Sequence, residues 1–362
     1  MSVRLAIVAD DLTGALDTSV PFVAAGWETD VAADWRSGEA MLGGRAEIVA
    51  INTASRHLPP QEAADRMRLI AGWLRASRPA LVMKKIDSRL KGPIGAEIEA
   101  LASGLGLESV VLAPAIPDQG RFTRDGCVVG TGLATPLPIA AIVGPIGRPA
   151  EIRDVASDAD LDRIAAGLDG GSPRLAVGAR GLGAALARRM GRGRARGAED
   201  FRPSRETLFA IGSRDPVTAA QVEDLSMRFG VPVVEAPDGL VPDLPRPTLP
   251  LVLRCIGSAV EDARIAERFA AGVARVMAAG RPLVLVASGG DTMLAVLDRL
   301  GVGLVRPLGE AAPGAAWFRI NVVDRATGAM ETLSCVSKSG GFGAVHLLST
   351  LLETTRGERA AV

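Results

Sequence analysis

The feature that most limits how this chain can fold is a repeated pattern: a short, unbroken apolar run that stops abruptly in glycine, hydroxyl and charged residues. Residues 4–9, RLAIVA, end in Asp10, Asp11, Leu12, Thr13 and Gly14. The stretch 81–92, LVMKKIDSRLKG, runs from an apolar start into Lys84, Lys85, Ile86, Asp87, Ser88 and Arg89. In the second half, residues 207–211 end in Gly212 and Ser213, and residues 282–287 end in Ser288, Gly289, Gly290, Asp291 and Thr292. Runs without alternation are expected of parallel strands buried on both faces. Helix-like segments follow them, and strand-to-helix corners of open parallel sheets are where ligands bind. The pattern therefore predicts an α/β protein with its chemistry at strand ends.

A chain of 362 residues, 48% hydrophobic, has room for two domains or three and a large core. Further strands are expected at 29–33, 47–51, 109–113, 175–177, 232–236 and 249–255. Helices are expected at 15–25, with Gly26 as the stop and Pro21 as a fault in the pattern, and at 61–77 after Pro59 and Pro60. Others follow near 95–103, at 160–167, 184–190 and 260–279, from 292 to about 300, and from a cap at Thr218 to Phe229. The uncharged run 127–147 has membrane length, but its glycines and prolines mark loop and short strand, not a span. Residues 188–206 are rich in Arg and Gly without apolar periodicity. We take 191–206 as a linker between domains 1–190 and 207–362.

Composition excludes several functions. There are 41 basic and 41 acidic residues, so nothing supplies the cationic excess that nucleic acid or a membrane surface requires. Two histidines rule out a histidine cluster, and three scattered cysteines fit no disulfide framework or zinc pattern, as in a cytoplasmic protein. Only four lysines occur: Lys84, Lys85, Lys91 and Lys338. Three of them within eight residues at a strand end form a candidate seat for small anions.

Other candidates sit at the same kind of corner. Asp10 and Asp11 could orient hydroxyls, hold a magnesium ion or act as a base. Arg56, after the strand at 47–51, could clamp a carboxylate bidentately. The stiff loop 113–126 presents Asp118, Gln119, Arg121 and Arg124 as a polar wall. Glycines at 289 and 290 would let backbone N–H groups at a helix start reach phosphate oxygens. Ser337 to Gly343, SKSGGFG, is a second phosphate-cradle candidate. No GxxxxGK[ST] sequence occurs, nor a GxGxxG in a strand-to-helix context, which counts against a dinucleotide-dependent dehydrogenase.

Taken together, ADDLTGALD (9–17), NTASR (52–56), KKIDSRLKG (84–92), APAIPDQGR (113–121), IGS (211–213), SGGDT (288–292) and KSGGFG (338–343) resemble, in order and spacing, the four-carbon acid sugar kinase family. The resemblance implies two α/β domains with mainly parallel sheets and an interdomain cleft. It implies a sugar acid on the N-terminal domain, ATP on the C-terminal one, and phosphorylation of a terminal hydroxyl of threonate, erythronate or an oxo-tetronate. By position, Asp11, Arg56, Lys84, Lys85, Ile86, Asp87 and Ser88 fall where the family holds its substrate. Ser213, Ser288, Gly289, Gly290, Asp291, Thr292, Lys338, Ser339, Gly340 and Gly341 fall where it holds ATP. Arg56 with Lys84 or Lys85 would bind the carboxylate, Asp10 or Asp11 would orient hydroxyls, Mg²⁺ would bridge the phosphates, and Asp291 would be base or metal contact. The family pattern KxDSTLRG is altered here by Arg89 and Lys91, so a longer or more acidic sugar acid stays open; KSGNFG is altered by Gly341, which loses one amide side chain near the nucleotide. A sugar-acid sensor on the same fold, and a homo-oligomer, stay open too.

Overall fold

The structure, a computed structural model, describes residues 2–168, 174–191, 199–257, 263–323, 328 and 330–352. Part of the expected linker, residues 192–198, lies outside them. The chain divides into two compact units, Met1–Ala198 and Glu199–Val362.

The first unit runs β1 (Leu5–Ala9), α1 (Leu12–Ala24), β2 (Thr29–Ala32), α2 (Gly38–Leu42), β3 (Ile48–Asn52), α3 (Pro60–Ser77), β4 (Leu81–Lys85), α4 (Ile94–Leu105) and β5 (Ser109–Ala113). It continues through β6 (Arg121–Arg124), β7 (Cys127–Gly130), β8 (Leu137–Pro138), α5 (Ile139–Val143), β9 (Ala150–Ile152), α6 (Asp158–Ala166), β10 (Arg174–Gly178) and α7 (Arg180–Met190). Its parallel strands lie in the order β2-β3-β1-β4-β10-β5-β9. All five residues of β1 are buried, as the unbroken apolar run requires. Each large aliphatic side chain buried this way contributes about 1.5–3 kcal/mol. Alternate residues serve opposite faces. Ala6 and Val8 share one core cluster with Met67, Ile70 and Leu74 of α3 and Ile98 and Leu101 of α4. Leu5 and Ile7 point the other way, where α1 packs on α7.

The second unit runs β11 (Thr207–Ile211), α8 (Pro216–Phe229), β12 (Val233–Pro237), β13 (Leu251–Ile256), α9 (Ala263–Gly280), β14 (Val284–Ser288) and α10 (Gly290–Arg299). Then come β15 (Leu304–Val305), β16 (Pro307–Ala312), β17 (Ala315–Val323), β18 (Met330–Lys338) and α11 (Leu347–Thr350). The main sheet follows β12-β13-β11-β14-β18-β17-β16, parallel from β12 to β18 and antiparallel beyond it.

Both units thus carry mainly parallel α/β sheets, as expected. Three local expectations need correction. The first helix starts at Leu12, because the Asp11 side chain accepts the Gly14 N–H and caps it; Pro21 is accommodated inside without ending it. The helix expected to be capped by Thr218 begins at Pro216, capped by Asp215, so Thr218 is buried inside the helix. The β16–β18 meander is absent from the sequence reading. The uncharged run folds into β7, β8 and α5, and no described helix is long and apolar enough to cross a membrane.

Candidate functional site

The main sheet of each unit has a point where the strand order reverses, and the crevice outside the strand ends at such a point is where open α/β sheets bind ligands. In the first unit it lies between β1, whose chain turns toward β2 and β3, and β4 on the other side. Register pairs Ala9 with both Asn52 and Lys85, so the segments beginning at Asp10, Thr53 and Ile86 emerge side by side. The loop after β3 is stitched to β1: the Thr53 N–H donates to Ala9 O and the Ser55 N–H to Asp10 O.

That stitching delivers Arg56 to the carboxylates. Its Nε donates to Asp10 Oδ2 at 2.7 Å, its Nη1 to Asp11 Oδ2 at 3.0 Å, and its Nη2 lies 2.9 Å from Asp11 Oδ1 and 3.7 Å from Asp87 Oδ2. Burial pushes the Asp10 carboxyl up, but Arg56 and Lys85 overrule it and hold it below the usual range. Burial wins at Asp11, raising it despite Arg56, with Asp10 adding to the rise. Asp17, one turn along α1, is pushed up to about 6 by burial against the pull of Lys85 and Arg180. Lys85 meets Asp11 over Gly14, where a Cβ would stand 2.5 Å from Asp11 Oδ1 and 2.7 Å from Lys85 Nζ. Any side chain at position 14 would have to displace one or both of these groups.

The expected substrate residues therefore divide. Asp10, Asp11, Arg56, Lys85 and Asp87 come together. Ile86 is fully buried, and Lys84 lies in the core with its Nζ 3.2 Å from Glu97 Oε2 on α4. Glu97 also accepts from Ser55 Oγ, so it ties the Arg56 loop to β4. Sequence reading missed Glu97; the available signal was a lone acid on the apolar face of a helix. Ser88 accepts from Arg121 Nη1 at 2.6 Å, which brings the loop after β5 to the same edge. From the same loop, Asp118 is paired with Arg180 at 2.9 Å, and Gln119 Oε1 lies 3.5 Å from Arg121 Nη1. Arg124 is exposed.

In the second unit the reversal lies between β11 and β14, and register aligns Ile211, Ser288 and Lys338. Gly212 and Ser213, Gly289 to Thr292, and Ser339 to Gly341 therefore leave the sheet as neighbours. Ser213 N–H donates to Ser288 O and Gly289 N–H to Lys338 O, so these two amides hold the loops to one another. The amides of Gly290, Asp291 and Thr292 at the start of α10 have no acceptor within the helix, behind an N-cap glycine with no capping side chain. Gly340 is pressed so close to Ser213 that a Cβ would fall 2.2 Å from its Oγ. Asp291 is exposed, and Thr292 is buried against Gly212.

Lys338 is fully buried. Its Nζ donates to Ser339 O at 2.6 Å, Thr218 Oγ1 at 3.1 Å and Gly340 O at 3.2 Å. An ammonium has three donors, and these three acceptors take them all. Burial pulls it down to about 7, with Asp215 pulling back. Thr218 Oγ1 bonds Gly340 O at 2.6 Å, and Gln221 Nε2 reaches the carbonyls of Phe342, Gly343 and Ala344 at 2.9–3.2 Å. The glycine-rich loop is thus held by its carbonyls from the α8 side, which leaves its amides on the other. Thr218 and Gln221, missed as site residues, show in sequence only as polar residues three apart on the apolar face of a helix.

The cradle fits a nucleotide's phosphates: glycine-lined, with amides at a helix start that lack helical acceptors. Among the described residues no group of three or more His, Cys, Asp or Glu side chains could hold a metal ion by themselves.

The sequence matches two domain models: a sugar-binding N-terminal domain over residues 5–138 and a nucleotide-binding C-terminal domain over 253–348. A D-threonate kinase from Bordetella bronchiseptica is 29% identical over 98% of this chain and 98% of its own length. A 3-oxo-tetronate kinase from Methylobacterium radiotolerans is 27% identical over 98% of this chain and 99% of its own. A solved structure from Salmonella typhimurium LT2 is alike with a TM-score of 0.69 at 19% identity, over 96% of this chain and 98% of that one, a likeness of fold alone.

Proposed function

This chain belongs to the four-carbon acid sugar kinase family, and we propose that it transfers the terminal phosphoryl group of ATP to the terminal hydroxyl of a four-carbon sugar acid of the threonate, erythronate or 3-oxo-tetronate type. One observation carries the reading. The chain pairs a strand-order reversal lined by carboxylates and cations in its first unit with a glycine-lined reversal in its second, along the full length over which it aligns with a D-threonate kinase.

Within the first unit, residues 1–190 would form the sugar-acid domain, and within the second, residues 207–362 the nucleotide domain. Asp10, Asp11, Arg56, Lys85, Asp87 and Ser88 handle the sugar acid. Gly290, Asp291, Thr292, Ser339, Gly340 and Gly341 line the phosphates, with Ser213 and Ser288 beneath them. Lys84 and Lys338 act from the core, one holding the Arg56 loop through Glu97 and the other holding the glycine loop by its carbonyls. In the reaction the hydroxyl oxygen bonds to the γ-phosphorus as the bond to the β,γ-bridging oxygen breaks, and ADP leaves. The hydroxyl proton passes to a carboxylate, Asp291 or Asp10. Mg²⁺, when bound, would neutralise charge on the phosphate oxygens, and Asp291 would hold it if Asp10 takes the proton. Because the reaction draws on ATP, the cytoplasm is the compartment that suits it.

The test is ADP release in a coupled assay against a panel of four- to six-carbon sugar acids, with mass spectrometry of the product. Sugar-acid-dependent ADP release with a phosphorylated acid supports the kinase. Binding of an acid without any ADP release would make the protein a sensor on the same fold.

A further inference from the structure

Arg56 meets Asp10 and Asp11 only while the short loop that carries it keeps one conformation, and that conformation is unfavourable for its sequence. Ala54 stands at φ 47°, in the left-handed region. A residue with a Cβ populates that region about 5- to 30-fold less than the right-handed one, whereas glycine enters it freely. Contacts from other residues must therefore hold the loop.

Most of them grip its amides and hydroxyls. Asn52 Oδ1 accepts the Ala54 N–H at 3.0 Å, while Asn52 Nδ2 donates to Ala33 O at 2.8 Å. The Ser55 N–H donates to Asp10 O, and Ser55 Oγ donates to Glu97. The carbonyls of residues 53 and 54 need partners of their own. One nitrogen serves both: Arg66 Nη1 donates to Thr53 O and, at 3.3 Å, to Ala54 O.

Arg66 belongs to α3, and its side chain is itself braced. Its Cζ lies 4.9 Å from the centre of the Trp35 ring. Trp35 in turn stacks on Trp73 of α3, with ring centres 6.2 Å apart and planes 20° apart. Arg66 and Trp73 are two turns apart on one face of the helix. A planar guanidinium resting on an aromatic ring keeps the direction of its donors, which a mobile lysine ammonium does not.

We propose that Arg66 is a positioning residue for the sugar-acid site: braced on Trp35, it holds the Thr53 and Ala54 carbonyls, keeps Ala54 left-handed and so delivers Arg56 to Asp10 and Asp11. In this role Arg66 touches no ligand. The proposal rests on the sugar-acid kinase reading and deepens it, because it extends the recognition machinery to a helix that carries none of the residues read as contacting the substrate.

Calorimetric titration of threonate and erythronate into the full-length protein, below its melting range, tests this without turnover. Arg66→Gln should weaken acid binding about 5- to 30-fold, the population lost when Ala54 is no longer held, with ATP affinity unchanged. Arg66→Lys should fall between Arg66→Gln and wild type. In an Ala54→Gly background the same Arg66→Gln substitution should cost only about 2-fold, since glycine populates both regions alike. Circular dichroism and a melting curve confirm the fold of each variant. An arginine that only stabilises the fold would lower the melting temperature and leave acid affinity alone. An arginine in contact with the ligand would lose the same factor in both backgrounds. Either result would overturn the proposal. Acid binding that follows the expected pattern in a protein that releases no ADP would sink the kinase reading and leave the positioning role standing. A wild-type protein that binds none of the acids would sink both.

Discussion

The pair formed by Lys84 and Glu97 decides whether a lysine in the most conspicuous cluster of the sequence touches substrate or holds the fold. The two side chains are 0% and 1% exposed, with Nζ and Oε2 3.2 Å apart. Their gross attraction at an effective dielectric of 20 is about 5 kcal/mol. The cost of taking both charges out of water is of similar size, so the intact pair contributes little net stability. Removing one partner is different, because the other charge is left buried and alone at a cost of about 3–5 kcal/mol. Lys84→Met and Glu97→Gln should each lower the melting temperature of the first unit by about 6–20 °C, at roughly 2–4 °C per kcal/mol for a unit of this size. The double variant should recover most of the loss, giving a coupling of about 2–4 kcal/mol in a double-mutant cycle. Calorimetry is the suitable assay, because a two-unit chain need not melt in one step. Steady-state KM for the sugar acid, measured below the melting range, is the companion readout and should move much less than stability. A Lys84→Met protein that melts like wild type yet shows a greatly raised KM for the acid would refute the reasoning, since Lys84 would then be reaching ligand from outside the core.

Three further expectations concern the second unit. Lys338 is held near 7 by burial, well below the ~10.4 of an unfolded lysine. The unfolded chain therefore binds more protons between those values, and stability should rise with pH through that window by up to roughly 5 kcal/mol. Chemical denaturation at pH 7 and pH 9 checks this; Lys338→Met should flatten the rise, and an unchanged slope in the variant would count against it. Gly340→Ala would place a Cβ 2.2 Å from Ser213 Oγ, so the loop must shift; KM for ATP should climb at least ~10-fold while sugar-acid affinity holds, and an unaltered KM for ATP would show that the loop does not line the phosphates. Asp291→Asn should cut kcat by at least ~100-fold if Asp291 takes the hydroxyl proton; near-normal turnover would pass that role to Asp10, tested by the same substitution there.

Much of the fold was legible because a strand buried on both faces writes an unbroken apolar run, and a corner that must turn tightly writes glycine, acid or hydroxyl. β1, β4, β11 and β14 all carry that signature, and their ends became the two candidate sites. β17 and β18 lacked the unbroken apolar run: their burial mixes buried with exposed positions, and β18 showed in sequence only at its glycine-rich end. The roles of the cations were harder to read, for a physical reason. Lys84 and Lys85 are adjacent in sequence, but adjacent strand residues point to opposite faces. Lys84 pairs in register with Val8, on the face covered by α3 and α4, and there it meets Glu97. Lys85 pairs with Ala9 and meets Asp11 over Gly14. Arg56 looks like a spare clamp until the fold brings it Asp10 and Asp11, more than forty positions away.

A charge that must enter a parallel-sheet core needs a partner supplied from another element, and that partner is a long-range fact which local sequence does not carry. The cations that look most available in the sequence, Lys84, Lys338 and Arg56, are therefore the ones the fold engages, in holding loops and carboxylates in place. Ligand recognition passes to groups with unsatisfied chemistry: the buried Oδ1 of Asp10 and the amides at the start of α10. Substitutions of Lys84 and Lys338 should therefore register chiefly in melting temperature, and those in the second set chiefly in KM.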